Sequence, residues 1–211
     1  MKFILNILKA FLFSFYFIGT VHAIDCPAIS PKIADDNPPQ QVEAIVNDVI
    51  CSFIKLHSES SGTFQNTLNL TKKKIIPYID LEYSTELALG KYWKDLDTRE
   101  RKIFERDIKN SLINDYVNIL SEMTNWEDIE VKVDKEFNQI DDIASVNVLV
   151  SLKNEISNAT VILYLNRKKR WKIYDLTYQS ISIIEIEKIG YDSKIKRQGL
   201  DNLIQKMLSK S

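Results

Sequence analysis

At Trp126 the spacing of apolar residues changes from a period of about 3.6 to a period of 2, and this change constrains the fold more than any other feature of the chain. Before it, apolar side chains recur at steps of three and four. Val42, Ile45, Val46, Val49, Phe53 and Leu56 form one stripe over residues 40–58, and Phe104, Ile108, Leu112, Tyr116, Ile119 and Met123 form another over residues 98–123. Ile113, Val117 and Leu120 add a second row to the later helix, so its C-terminal half must be covered on more than one side. After Trp126, Ile129, Val131 and Val133 alternate with charged residues, and Val146, Val148, Val150 and Leu152 alternate with Ser145, Asn147 and Ser151. Val161, Leu163 and Leu165 follow, then Trp171, Ile173 and the Tyr174/Leu176/Tyr178 series. Four strands joined by polar turns near 141–142, 154–158 and 166–170 predict an antiparallel meander with one apolar face. Val148, Val150, Val161 and Leu163 are in phase on that face. Helices in front and a sheet behind make the expected class α+β.

Between the two long helical stripes lies the stretch IIPYIDLEYSTELALGKYW, residues 75–93. Its proline marks a boundary: Pro77 ends a helix over 63–76, because proline lacks the amide and disfavours helix in the residue before it. Asp80 then caps a further helix, with Glu82 in its positively polarised first turn. Tyr83, Leu87 and Tyr92 read either as ordinary packed core or as the wall of an apolar pocket, with Gly90 expected to allow close approach of another backbone. The hydrophobic fraction of 45% is ordinary and does not itself demand a cavity. Asp97 and Glu100 open the longest helix. Residues 181–189 and 200–208 read as short C-terminal helices, with Gly190 and Gly199 as their stops.

Residues 1–23 have the layout of an export signal: Lys2 and Lys9 as the only charges, the apolar run FLFSFYFIG, then Val21-His22-Ala23 with small residues at the cleavage positions. The expectation is a soluble exported protein, with an extended leader over 24–39 and a single domain over 40–211. Without Lys2 and Lys9, 26 basic residues face 29 acidic ones, which argues against a nucleic-acid binder. Two cysteines remain, Cys26 and Cys51. Cys51 falls opposite the apolar stripe of the first helix, where a lone exposed thiol would be a liability in an oxidising compartment. A Cys26–Cys51 disulfide is expected, with two free thiols the alternative.

Catalytic signatures are missing. His57 is the only histidine after residue 23, with no metal-ligand spacing around it, and neither a phosphate-binding loop nor a nucleophile elbow is present. His57 reads as a solvated residue near a helix end. Asp175, between Tyr174 and Leu176, is a carboxylate with apolar neighbours. It reads either as a structural, hydrogen-bonded residue or as the general base of an isomerase or dehydratase.

Several ordered motifs bear on this choice: I-I-P-Y-I-D at 75–80, L-G-K-Y-W at 89–93, Arg101-x-x-Phe104, the 112–120 segment around Tyr116, W-K-I-Y-D at 171–175, Ser182, and G-L-D-N-L at 199–203. Together they resemble the MlaC family of periplasmic phospholipid-binding proteins, also called toluene-tolerance auxiliary components. The resemblance implies a fold related to nuclear transport factor 2, with helices on a curved four-stranded sheet around a lipid cavity. It implies no enzyme activity, no cofactor beyond phospholipid as cargo, and a monomer shuttling between an outer-membrane lipoprotein–porin complex and an inner-membrane ABC transporter. The candidate lining is then Tyr83, Leu87, Tyr92, Phe104, Ile108, Leu112 and Tyr116 from the helices, with Val148, Val150, Val161, Leu163, Tyr174 and Leu176 from the sheet. A lipid-free envelope adaptor is a further alternative. The chain departs from the family where relatives show E-G-V-S: it has Gln179-Ser180-Ile181-Ser182, and no arginine follows in 183–188.

Overall fold

The computed structural model describes residue 26 and residues 37–123, 125–152, 155–165, 170–178 and 180–209; the side chains at 115, 116, 119, 152, 155–159 and 161–165 are outside that description. The export signal expected over 1–23 and most of the leader expected over 24–39 lie outside the described residues.

Helix α1, Pro38–Ser58, starts before the apolar stripe does. Pro38 and Pro39 sit in its first turn, where the amide that proline lacks would have had no helical partner, and the Asn37 side chain accepts from Gln40 N at 3.0 Å. Both prolines are buried, so they belong to the domain and not to a leader. Helix α2, Phe64–Lys74, is capped by Thr63. A 3-10 turn, Ile76–Tyr78, carries Pro77 to α3, Leu81–Leu89, where the Asp80 carboxylate accepts from Tyr83 N at 3.1 Å. Gly90 ends α3 with φ +53, and a Cβ there would meet nothing within 4 Å. The glycine is therefore needed for its dihedral, not for the close approach expected of it. Helix α4, Thr98–Glu122, opens on a reciprocal cap in which Glu100 N donates to Asp97 and Asp97 N donates to Glu100, at 2.8 and 2.9 Å.

Strands β1 (Ile129–Ile140), β2 (Ile143–Leu152), β3 (Glu155–Leu165), β4 (Trp171–Tyr178) and β5 (Ile181–Ser182) form one antiparallel sheet in sequential order. The sheet has five strands where four were expected. The fifth is two residues long, too short for an alternation to register. The class is α+β. Two irregularities shape the sheet. In β1 the register shifts between Val133 and Phe137, so the charged Asp134-Lys135-Glu136 bulges out of an edge strand and blunts it against pairing with another chain. In β4, Asp175 pairs with Ile162 but Ile173 pairs with Leu163, which leaves Tyr174 as an extra residue.

Helix α5, Ile183–Gln198, runs straight through Gly190. The expected stop fails because Ile184, Tyr191 and Ile195 are buried on one side of the helix, and packing outweighs the ~1 kcal/mol that an interior glycine costs. Gly199, with φ +82, does end it, and α6, Leu200–Leu208, follows. A disulfide joins Cys26 to Cys51 on α1. Gln41 Nε2 donates to the Trp171 carbonyl at 2.9 Å, fastening α1 across the sheet. Asp48 on α1 forms an ion pair with Lys74 at the end of α2, at 2.9 Å.

Candidate functional site

Buried apolar residues usually form one contiguous core per domain. Here they form separate clusters. The helical cluster is built from α3, α4, α5 and α6, with Phe104, Ile108 and Tyr191 essentially without exposure. On the sheet side, Val42, Ala144, Val146, Val148 and Trp171 make one group, and Ile50, Phe53, Trp126 and Ile129 a second. Val46, Val131 and Val150 touch both sheet-side groups and bind them into one unit. Among the described residues, none belongs both to that unit and to the helical cluster. Half-buried apolar residues stand at the margins: Leu87 and Leu112 on the helical side, Ile173, Leu176 and Val150 on the sheet side.

Direct polar contacts hold α3 against β4 beside these margins. Ser84 Oγ donates to the Tyr174 carbonyl at 2.7 Å, and Asp80 N donates to the Ile173 carbonyl at 2.7 Å. The Tyr83 and Tyr174 rings meet edge to face with centroids 4.9 Å apart. Burial pushes the Tyr174 phenol above the usual tyrosine range, with Tyr83 and Asp175 adding to the effect.

The sequence candidates therefore divide. Tyr83, Leu87, Leu112, Val150, Tyr174 and Leu176 are half-buried at the margins of the clusters or at the α3–β4 contact. Phe104 and Ile108 are fully buried, Phe104 edge-to-face with Tyr191 at 5.6 Å, which makes them packed core. Val148 is 4% exposed and packs in the group with Val42 and Trp171. Tyr92 reaches the other way, its hydroxyl donating to Asp192 at 3.1 Å on α5. The backbone of Val161 pairs with Val146 and Leu176, and that of Leu163 with Ala144 and Ile173; their side chains, with that of Tyr116, lie outside the described residues.

Period-2 reading missed Ile173, because Tyr174 and Leu176 share a phase on a regular strand and Ile173 does not. The bulge at Tyr174 resets that phase, so Ile173 and Leu176, three apart, pack in one cluster. The step in phase from Trp171/Ile173 to Tyr174/Leu176/Tyr178 is the trace that the bulge leaves in the sequence.

Asp175 serves the architecture. Its Oδ1 accepts from Leu176 N at 2.8 Å and Ile184 N at 3.1 Å, and its Oδ2 accepts from Ser182 Oγ at 2.6 Å. Ser182 Oγ in turn accepts from Glu185 N at 3.0 Å. The carboxylate thus joins β4 to the positively polarised start of α5. These contacts support the structural reading over the general-base one. His57 is not the solvated residue expected: it is half-buried, its ring 6.1 Å from that of Trp126 and so close to Gly62 that a Cβ there would lie 2.6 Å from it.

Fold and site together define an α+β domain in which the described apolar residues divide between a helical cluster and a sheet-side unit. The family model described as MlaC protein matches residues 43–209, and the chain belongs to the MlaC protein family. A Haemophilus influenzae protein described as the intermembrane phospholipid transport system binding protein MlaC is 26% identical over 143 residues, spanning 65% of each chain. The match thus covers just under two thirds of that relative's length. A structure of a phospholipid-binding protein from Ralstonia solanacearum, solved in complex with a phospholipid, has the same fold: TM-score 0.68, 23% identity, 83% of this chain and 96% of that one covered.

Proposed function

We propose that this protein is a periplasmic phospholipid carrier, and that acyl chains occupy the seam between the helical cluster and the sheet-side unit. The divided core carries this reading. Burying a methylene is worth about 0.8 kcal/mol, so two acyl chains of ~30 methylenes in all would cost on the order of 20 kcal/mol to leave in water. A seam walled by Leu87, Leu112, Val150, Ile173 and Leu176 offers such chains an apolar surrounding and needs no reactive group. The Tyr83–Tyr174 pair brings two phenol groups to the edge of the apolar wall, where a head group would emerge. The names and bound ligand of the two relatives point to the same cargo.

On this reading residues 1–23 are the export signal and 38–211 one lipid-binding domain. The sheet curves around its cargo in the manner of the nuclear transport factor 2 fold, and the carrier acts as a monomer between an outer-membrane lipoprotein–porin complex and an inner-membrane ABC transporter. Among the described residues no helix is long and apolar enough to cross a membrane, consistent with a carrier that works between membranes. The test is mass spectrometry of native purified protein after organic extraction. About one phospholipid per chain is the expected result, and lipid-free protein overturns the proposal.

A further inference from the structure

A second concavity lies on the helical cluster, where α4, α5 and α6 meet, with a volume of about 710 Å³. Its lining is strongly one-signed. Arg106 comes from α4, Lys194 and Arg197 from α5, and Lys206 from α6. Lys194 and Arg197 are three residues apart on their helix and so share a face. The Lys194 ammonium sits 5.1 Å from the centroid of the Tyr191 ring, and Arg197 Nε donates to the Ser193 carbonyl at 3.3 Å. A ring and a backbone carbonyl hold these side chains in place without cancelling their charge. Asp107 is the carboxylate in the lining among the described residues, and its Oδ2 accepts from the Tyr191 hydroxyl at 2.8 Å. Four cations against one carboxylate is a local reversal of sign on a chain whose formal net charge is −1.

We propose that this cleft is a docking site for an acidic segment of a partner protein. Charge complementarity sets the sign of the occupant: carboxylates placed among four converging cations gain from all of them, and clefts lined by one sign of charge steer such partners from a distance. Shape sets its class. The cations converge on a concavity that a planar bilayer surface cannot enter, whereas a peptide segment can. Met207, an adaptable unbranched side chain at the same cleft, gives an apolar residue of the segment something to pack on. The lining comes entirely from α4, α5 and α6, so the proposal stands apart from the cargo in the seam.

The test uses the full exported protein and a fluorescein-labelled ten-residue peptide with five glutamates and two leucines, followed by anisotropy. A peptide with glutamines in place of the glutamates serves as control, together with vesicles containing about 30% anionic phospholipid. The acidic peptide should bind, and weaken as ionic strength rises from ~0.05 to ~0.5 M. Arg197 and Lys206 are exposed, so the double variant R197E/K206E should keep its melting temperature and its extractable phospholipid while losing affinity by about tenfold or more. The milder pair R197Q/K206Q should fall between. Absence of binding to the acidic peptide at about 1 mM, equal binding of the glutamine control, or unchanged affinity in both variants would overturn the proposal. So would vesicle binding that the charge reversal abolishes while peptide binding stays, which would make the cleft a membrane contact. Loss of extractable phospholipid in wild-type protein would count against the carrier reading and leave the cleft unaffected.

Discussion

The helical cluster and the sheet-side unit are made from similar residues and are finished differently. Around Phe104, residues of α3, α4, α5 and α6 pack together, and Phe104, Ile108 and Tyr191 are enclosed by their own chain. On the sheet, Val133, Val150, Ile173 and Leu176 remain half-buried although they lie beside fully covered neighbours such as Val146. A helix can be surrounded by other helices, but an extended sheet face needs a layer as wide as itself. Helix α1 covers part of that face, fastened by Gln41 to the Trp171 carbonyl. The contrast teaches that apolar composition does not fix which surface is core and which is wall; the supply of covering elements does.

The strongest test of the comparison is Phe104→Ala. In a closed cluster the lost ring leaves a cavity, and stability should fall by about 3–5 kcal/mol, read by denaturant unfolding. A loss below about 1 kcal/mol would show the helical cluster to be as loosely filled as the sheet face. Next comes Cys51→Ser. A bridge spanning 25 residues restrains the unfolded chain, so its removal should destabilise by about 3 kcal/mol, and unreduced protein should show no free thiol in denaturant.

The sheet itself gives the sharpest contrast. Val148, closely covered, should be overpacked by tryptophan at a cost of about 1–3 kcal/mol. Val150→Trp, at the half-buried margin, should stay within about 0.5 kcal/mol of wild type while extractable phospholipid drops. If Val150→Trp melts much lower yet keeps its lipid, the wall has been put in the wrong place.

Two smaller effects concern the link from sheet to helices. Ser180 has φ +65 in the turn between β4 and β5, the left-handed region in which a side chain costs about 1–2 kcal/mol. Glycine adopts that region without the penalty, so Ser180→Gly should stabilise by about 1 kcal/mol, read from the melting temperature. Gly190 lies inside α5 with nothing within 4 Å of a Cβ, so Gly190→Ala should stabilise by about 0.5–1 kcal/mol. A destabilised alanine variant would mean that α5 needs freedom at Gly190, and with it some movement against the seam.

Most element boundaries were legible because they rest on local chemistry. Asp80, Asp97 and Thr63 cap helices with side chains a few residues from the amides they satisfy, and the meander follows from alternation and short turns. The misses fall where distant packing overrules a local preference. Gly190 reads as a stop, but the burial of Tyr191 and Ile195 carries the helix through it. His57 reads as solvated, but Trp126 lies against it.

The sequence alone determined the α+β class, the order of its elements and membership of its family, since periodicity, capping and ordered motifs are written in neighbouring residues. Tertiary structure decided the rest of the site. Leu112 and Phe104 occupy one helical stripe, yet Phe104 is enclosed and Leu112 lies at a margin. Val148 and Val150 occupy one strand face, yet Val148 is enclosed and Val150 is left half-buried. Whether an apolar side chain is core or wall depends on what lies across from it, and that neighbour is set by chain crossings tens of residues away.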